Sequence, residues 1–398
     1  MKDASKRLCI VIQRYGEEVS GGAESYAKQY AEQLVLHGYT VDVATTCALD
    51  YRTWKNHYTP GDSEIAGVHI HRFPVAQECD MERFAALCAT YLMPDAVRTP
   101  AHDREWLMLR GPDAPELLDF LHTHRDDYDL FLFMTYMYCP TVLGLPLVDD
   151  KAVLFPFLHD EPAARVPIYD AVFTSPRAIV YNSEEEREFA YQRFDNELLP
   201  STLTGIGIVL PDAGTLPPAR ERFPQLGNAP YLLYMGRIDD SKRCDVLFEY
   251  FRAYKEEFPS PLKLVLTGGA GMEIPDAPDI LHLGFVSEEE KHAILRESLL
   301  LVLPSEFESL SIVLLEAFAQ HRPALVNGHS PVLRGHCRRS NAGLYYFRQE
   351  DFNECLSLLL EKEALRQSMG ENGARYVDTH YRWEVILQKL NKLFADIN

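Results

Sequence analysis

Short apolar runs alternate with helix-length amphipathic stretches along this chain, and the alternation starts again in the second half. This pattern is typical of parallel sheets flanked by helices. The predicted strands are 8–13, 41–45, 130–133, 153–158 and 179–181 in the first half, and 231–235, 262–267, 280–283, 299–303 and 324–326 in the second. The sequence therefore predicts two doubly wound α/β domains, with ligands bound at the carboxyl ends of the strands.

Helices are predicted where apolar residues recur at helical spacing. The predicted helices are 24–37, 245–257, 288–297 and 310–319, followed by a helical tail at 351–394. Region 51–110 shows no clear periodicity, so no elements are predicted there.

Prolines and glycines between 211 and 230 interrupt the periodicity and predict an interdomain linker. We therefore expect an N-terminal domain at 1–210 and a C-terminal domain at 231–379. The last helix, at about 380–398, is expected to pack back on the N-terminal domain.

Charge and cysteine content exclude several classes of protein. Acidic residues outnumber basic ones by 59 to 39, which gives a net charge of −20 and argues against nucleic acid as a partner. The eight cysteines are scattered without a C-x-x-C pair, so we expect free thiols in a reducing compartment. No apolar run is long enough to span a membrane or to form a signal peptide, and nothing indicates peripheral membrane contact. We expect a cytoplasmic protein.

The segment after the first strand of the second half is rich in potential phosphate ligands. Gly236 ends the strand, Arg237 follows at once, and Lys242 comes after four further residues. A glycine at a strand end lets a ligand approach the backbone. Arginine offers a planar fork for phosphate oxygens and lysine a point charge. Alone, both cations are equally compatible with ordinary solvated surface residues.

A second segment, 299–319, runs from an apolar strand through a Pro-Ser stop into a predicted helix. Glu308 lies in the loop or first turn, and Glu316 interrupts an otherwise apolar helical run. A buried carboxylate must be paired or bonded, but helical geometry leaves open whether Glu316 faces solvent. The backbone N–H groups from Ser309 to Ser311 are expected to open the helix and to offer an anion site, with Ser309 as a cap.

Two elements together resemble the signature of family-four retaining glycosyltransferases of GT-B fold, the group 1 type. One is Gly236-Arg237 with Lys242, and the other is the pair of glutamates, Glu308 and Glu316, with seven residues between them. Further segments agree, and they are Gly21-Gly22-Ala23-Glu24, His159, Asn182-Ser183, Gly268-Gly269 and Gly284-Phe285-Val286. The resemblance implies two Rossmann-like domains facing a central cleft, with the acceptor on the N-terminal side and a nucleotide diphosphate sugar on the C-terminal side.

The resemblance also implies roles for individual residues. Arg237 and Lys242, next to Gly236, would hold the diphosphate and stabilise the leaving group. Glu308 would bind sugar hydroxyls, and Glu316 the ribose hydroxyls of the nucleotide. The resemblance further places donor-binding or catalytic groups at Ser309, Leu310, Ser311, Gly21, Gly22 and His159. Relatives often carry glycines near the first glutamate, where this chain has Ser309 and Ser311.

No Asp-x-Asp follows a strand, so the sequence predicts no metal site and no cofactor besides the donor. The resemblance implies a retaining hexosyltransferase with a saccharide, lipid-linked or small-molecule acceptor, in bacterial polysaccharide or glycoconjugate synthesis. The alternatives are a nucleotide-sugar epimerase of the same architecture and a non-catalytic nucleotide-sugar-binding protein. A phosphorylase-like enzyme is a further rival, but no strand-flanked lysine suggests pyridoxal phosphate.

Overall fold

The computed structural model describes residues 6–19, 21–93, 95–211, 216 and 218–397. The contacts within the chain divide it into two compact units, one of Met1–Ile206 with Leu387–Asn398, and one of Gly207–Ile386. Within the described residues the strands are β1 (Arg7–Val11), β2 (Thr40–Thr46), β3 (Gly61–Ile65), β4 (Val68–Phe73), β5 (Leu130–Met134), β6 (Ala152–Phe155), β7 (Ala178–Tyr181), β8 (Ser201–Leu203), β9 (Tyr231–Met235), β10 (Lys263–Thr267), β11 (Ile280–His282), β12 (Leu300–Leu303), β13 (Ala324–Asn327) and β14 (Gly343–Tyr346).

The α-helices of the same residues surround these strands. They are α1 (Gly22–Leu36), α2 (Met81–Tyr91), α3 (Pro100–Arg110), α4 (Pro115–Thr123), α5 (Cys139–Gly144), α6 (Asp170–Thr174), α7 (Glu184–Phe194), α8 (Ala219–Arg222), α9 (Cys244–Glu257), α10 (Glu288–Glu297), α11 (Ile312–Ala319), α12 (Pro331–Ser340), α13 (Gln349–Glu361), α14 (Glu363–His380) and α15 (Trp383–Asp396).

The sheet of the first unit has the strand order β3-β4-β2-β1-β5-β6-β7-β8. All neighbouring strands are parallel except β3 and β4. Strand β5 is buried along its whole length and β1 at every residue after Arg7, as expected for parallel strands covered on both faces. The order reverses between β1 and β5, so their carboxyl ends form the switch point at which such sheets bind ligands.

The sheet of the second unit is parallel throughout and has the order β11-β10-β9-β12-β13-β14. Its first strand along the chain, β9, is central, and the fourth, β12, lies next to it. This order is that of the dinucleotide-binding Rossmann fold, and its switch point lies at the carboxyl ends of β9 and β12. Both predicted phosphate and sugar segments begin at these two strand ends.

Region 51–110 contains elements that the sequence pattern did not reveal. Strands β3 and β4 form a hairpin, and helices α2 and α3 follow. Strand β3 is exposed at four of its five residues, so no apolar alternation marks it. The hairpin turn has positive φ at Ala66 and Gly67, 52° and 78°, as two-residue hairpin turns require.

Three predicted boundaries differ from the structure. The second unit starts at Gly207, before the expected linker at 211–230, and within this unit the Ile208 N–H donates to the Tyr381 carbonyl at 2.7 Å. Part of that linker is helix α8, whose Ala219 N–H donates to Glu297 Oε1 at 2.7 Å. The predicted continuous helical tail is three helices, and contacts assign the tail to the first unit only from Leu387 onward.

Candidate active site

The end of strand β9 is held against the end of strand β10 by two glycines. Gly236 has φ 145° and Gly268 has φ 121°, values that favour glycine. A Cβ added at Gly268 would lie 2.1 Å from the Gly236 carbonyl oxygen. The missing side chain therefore lets the two strand ends approach, directly before Arg237.

Lys242 and Glu308, both predicted site residues, lie in direct contact. Lys242 Nζ is 2.6 Å from Glu308 Oε1, and the two side chains are 25% and 17% exposed. Arg237 is more open, with a 54% exposed side chain whose Nη1 lies 3.5 Å from Asp239 Oδ2. The structure thus brings the turn after β9 and the loop after β12 together at the switch point of the second sheet.

The loop after β12 enters helix α11 later than predicted. Ser311, with φ 66°, is the N-cap residue and makes no side-chain capping bond, so Ser309 is not the cap. The helix begins at Ile312 rather than Leu310. Leu310 and Ser311 are buried, at 3% and 7% exposure. The N-terminal turn of the helix therefore starts at Ile312, beyond the predicted Ser309–Ser311 stretch.

Glu316 is buried, which answers the question that helical spacing left open. Its Oε1 accepts a hydrogen bond from Lys291 Nζ at 2.8 Å, while its Oε2 is buried without a hydrogen-bond partner among the described residues. Burial raises the pKa of the Glu316 carboxyl, and Lys291 opposes that effect. Within the described residues, Glu316 therefore keeps one acceptor oxygen unsatisfied, and that oxygen is covered by protein atoms.

Lys291 connects Glu316 to a second carboxylate on helix α10. Lys291 Nζ is 2.5 Å from Glu288 Oε2, and these acidic neighbours raise the pKa of Lys291 against the opposing effect of its burial. Glu288, His292 and Glu316 offer ligand atoms within 4.8 Å of one another, a spacing that could hold a metal ion. The Lys291 ammonium bridges two of these three groups and already supplies positive charge between them.

In the first unit, Gly21 and Gly22 form the junction between the loop after β1 and helix α1. Gly21 is the N-cap with φ 155°, and a Cβ there would lie 2.1 Å from Glu24 Oε2. Glu24 is itself fixed, since its Oε1 accepts from Arg14 Nη2 at 2.6 Å and from Gln13 Nε2 at 3.0 Å. A Cβ at Gly22 would meet nothing within 4 Å. Gly21 is therefore required by packing, whereas Gly22 leaves open space.

His159 follows strand β6 at the carboxyl edge of the first sheet. Its Nδ1 lies 3.3 Å from Glu161 Oε1, which also accepts from the Tyr136 hydroxyl at 2.9 Å. The preceding Leu158 N–H donates at 2.6 Å to Glu186, a carboxyl whose pKa burial raises to about 8. Glu186 also accepts from the Asn182 N–H and so joins the ends of β6 and β7 behind His159.

Sequence reasoning missed Lys291, which pairs with Glu316, and Glu186, which accepts from the Leu158 N–H next to His159. Lys291 lies 25 positions before Glu316, in a helix that reads as ordinary charged surface. The only signal for Glu186 is its place three residues after the capping Ser183, whose hydroxyl accepts from the Glu186 N–H at 3.2 Å. Neither position belongs to a recognisable motif.

Two buried histidines of the second unit predict that it loses stability in acid. Burial and Lys291 lower the pKa of His292 to about 4, and burial and Arg339 lower that of His336 to about 3. The unfolded chain takes up these protons near pH 6.5, whereas the folded unit does not. Stability is therefore fully present above pH 6.5 and falls as pH drops toward 4, by up to ~1.4 kcal/mol per pH unit for each histidine.

Urea unfolding between pH 7 and 5 measures this loss. His336→Gln should remove part of the pH dependence, because glutamine can still bond the Tyr376 hydroxyl that lies 3.1 Å from His336 Nδ1. His102→Gln, at an exposed position, is the matched control and should leave the dependence unchanged. An unaltered slope in His336→Gln would contradict the assignment.

None of the helices in the described part of the chain combines the length and the apolar character needed to cross a bilayer.

The chain resembles known proteins in sequence and in structure. Residues 218–376 match the family described as glycosyl transferases group 1. The alpha-D-kanosaminyltransferase of Streptomyces kanamyceticus is 27% identical over 45% of this chain and 48% of its own length. The D-inositol 3-phosphate glycosyltransferase of Nocardioides sp. is 26% identical over 92% of this chain and 83% of its own. The chain thus spans about half the length of the first relative and most of the second.

The sucrose-phosphate synthase structure from Thermosynechococcus elongatus has a TM-score of 0.72 at 17% identity, covering 98% of this chain and 99% of that one. This likeness extends over both units taken in sequence and confirms the predicted GT-B fold class. Together with the family match over residues 218–376 and the two transferase relatives, it supports a group 1 glycosyltransferase of GT-B fold.

Proposed function

We propose that this enzyme moves a hexose from a nucleotide diphosphate sugar to a hydroxyl group of a saccharide, lipid-linked or small-molecule acceptor. The observation that carries the proposal is the charge arrangement at the switch point of the second sheet. There Lys242 contacts Glu308 at 2.6 Å, and in helix α11, which follows this loop, the buried Glu316 keeps one oxygen without a partner among the described residues. Two cations and two carboxylates suit a ligand that is anionic at its diphosphate and hydroxylated at both ends.

Each of these groups has a part in the proposed reaction. Arg237 and Lys242 bind the diphosphate oxygens and stabilise the charge that develops as the sugar departs. Glu308 accepts hydrogen bonds from hydroxyls of the transferred sugar. Glu316 accepts from the ribose hydroxyls through Oε2, while Lys291 holds its other oxygen at 2.8 Å.

We propose that the anomeric configuration is retained by same-face attack. The bond from the anomeric carbon to the diphosphate oxygen breaks, and the acceptor oxygen bonds to that carbon from the same side. The acceptor proton passes to the departing phosphate oxygen. Two carboxylates at the carboxyl edge of the first sheet are already engaged, Glu24 by Arg14 and Glu161 by Tyr136, which favours this route over a covalent glycosyl-enzyme.

We also propose that the reaction needs no metal ion, because Arg237 and Lys242 supply the charge at the diphosphate and Lys291 supplies it between Glu288 and Glu316. The compartment that fits is the bacterial cytoplasm, since all eight cysteines are free thiols. Synthesis of a polysaccharide or glycoconjugate is the proposed context. One relative is named for D-inositol 3-phosphate, which supports keeping small molecules among the acceptors.

A thermal-shift screen against nucleotide diphosphate sugars tests the proposal, because a bound donor raises the unfolding temperature by mass action. Glu316→Gln is expected to weaken binding of the best donor by about 10- to 100-fold, the value of a hydrogen bond to a charged acceptor. Glu289→Gln, at an exposed position of helix α10, is the matched control and should bind normally. If no donor shifts the unfolding temperature, or if Glu316→Gln binds like the control, the proposed function is wrong.

The same assay extends to the two finer parts of the proposal once a donor and an acceptor are found. NMR of the product should show an unchanged anomeric configuration, and an inverted product would contradict same-face attack. Turnover should persist after EDTA treatment, and its loss with recovery on adding a divalent cation would contradict metal independence.

A further inference from the structure

Helix α3 ends in an arginine that has no acidic partner. Among the described residues, no carboxylate lies within ion-pair distance of the Arg110 guanidinium, and its Nε is buried without a hydrogen bond. Its Nη2 contacts only the Met137 sulfur. The guanidinium carbon lies 5.2 Å from the ring centre of Tyr138 and 5.7 Å from that of Phe84. A guanidinium has five N–H donors, so most of its hydrogen-bonding capacity is unused.

A cation in this setting normally has a counter-charge. Removing a charge from water is costly unless hydrogen bonds and an opposite charge compensate for it. Arg14, elsewhere in the same unit and also buried, shows the usual solution, since Glu24 Oε1 lies 2.6 Å from its Nη2. The carboxylate that acts on Arg110 from farther away, Glu161, already accepts from the Tyr136 hydroxyl at 2.9 Å. Within the described residues, the Arg110 charge is therefore met by the faces of Tyr138 and Phe84 and by Glu161 at longer range, and by no carboxylate in direct contact.

The position of Arg110 suggests that a ligand supplies its counter-charge. Met137 and Tyr138, which it contacts, follow strand β5 directly, so Arg110 lies at the carboxyl edge of the first sheet. The same edge carries His159, which follows β6, the neighbour of β5. Open parallel sheets bind ligands at this edge. Arg110 is half-buried at this edge rather than fully enclosed.

We propose that Arg110 binds an anionic group of the acceptor, a phosphate ester or a carboxylate, and so selects acidic acceptors. This inference rests on the proposed function, because it presumes that the first unit holds the acceptor. The planar fork of arginine matches two oxygens of either group. A protein with a net charge of −20 repels anions at long range, so a local, partly desolvated cation is needed to hold one.

Binding of inorganic phosphate tests the proposal most directly. Lys242→Ala is used as the parent protein so that phosphate does not report on the proposed diphosphate site. Titration calorimetry should detect phosphate binding to this parent, and adding Arg110→Gln should weaken it by about 10- to 100-fold, the usual value of hydrogen bonds to charged groups. Equal phosphate affinity with and without Arg110→Gln would overturn the proposal.

Three sugars then distinguish the source of the anion. Glucose 6-phosphate should bind the same parent at least tenfold more tightly than glucose if the group is a phosphate ester, and glucuronate should do so if it is a carboxylate. Arg110→Gln should abolish either preference. If neither anion binds more tightly than glucose, the proposal is wrong.

Two further variants separate ligand binding from a purely structural role. Arg125→Gln, at a half-buried arginine paired with Asp150 at 2.5 Å, should leave phosphate binding unchanged. If Arg110→Gln fails to fold, Arg110→Lys keeps the charge without the fork and should weaken phosphate binding by about tenfold. Binding of the best nucleotide diphosphate sugar to Arg110→Gln in the otherwise native chain should be normal. If the native protein binds no donor, the proposed function is contradicted. The phosphate titration then still decides whether Arg110 binds an anion.

Discussion

Lys242→Ala is expected to lower kcat by about 10²- to 10³-fold, the usual cost of removing one preorganised group that stabilises charge in the transition state. The Lys242 ammonium lies 2.6 Å from Glu308 and is 25% exposed, so it is partly shielded from water and held in place. Its loss removes a positive charge from the proposed leaving group and leaves Glu308 without its partner. KM for the donor should change less than kcat, because the developing charge is largest in the transition state. Steady-state kinetics with the donor from the thermal-shift screen measures both constants.

Lys151→Ala is the matched control for this experiment. Lys151 is 26% exposed, almost the same as Lys242, and pairs with Asp126 at 3.8 Å at the start of β6 in the first unit. It should lower kcat by less than twofold, since it lies at the opposite edge of its sheet. A kcat for Lys242→Ala within twofold of the native value, in a protein that still unfolds cooperatively, would remove Lys242 from the proposed mechanism.

Gly268→Ala is expected to destabilise the second unit by about 2–6 kcal/mol and to weaken donor binding as well. About 1–3 kcal/mol comes from the φ of 121°, which alanine adopts only with strain. A further ~1–3 kcal/mol comes from overpacking, because the added Cβ would lie 2.1 Å from the Gly236 carbonyl oxygen. Relief of this clash must move the Gly236 turn, and with it Arg237. Urea unfolding measures the stability, and donor titration measures the second effect.

Gly284→Ala separates the two contributions. Gly284 also has a positive φ, 75°, but a Cβ there would meet nothing within 4 Å. It should therefore cost only the strain, about 1–3 kcal/mol, and leave donor affinity nearly unchanged. Equal destabilisation by the two alanine variants would show that the contact between Gly268 and Gly236 is not tight in solution.

Assignment to the glycosyltransferases bears on the alternatives raised by the sequence. The matched family and the two transferase relatives favour neither a nucleotide-sugar epimerase nor a non-catalytic binding protein. The roles of individual residues stay predictions until the variants above are measured.

The sequence by itself determined the fold class, the resemblance to group 1 glycosyltransferases and the central strands. Strand β9 was predicted with its observed limits, Tyr231–Met235, because fully buried parallel strands are short apolar runs bounded by turn residues. The same logic placed Gly236, Arg237 and Glu308 after strands, and the strand order then brings those ends together. Strand β3 was not predicted, because four of its five residues are exposed and carry no apolar pattern.

Only the tertiary structure decided which side chains meet. Whether Glu316 faced solvent or the site depended on Lys291, which approaches from a different helix and lies 2.8 Å away. The sequence likewise does not show that Arg110 has no carboxylate in contact among the described residues. That depends on all the side chains packed around it, which come from several elements. Spacing along the chain fixes contacts within one helix or strand. Contacts between elements depend on packing, which the local pattern does not encode.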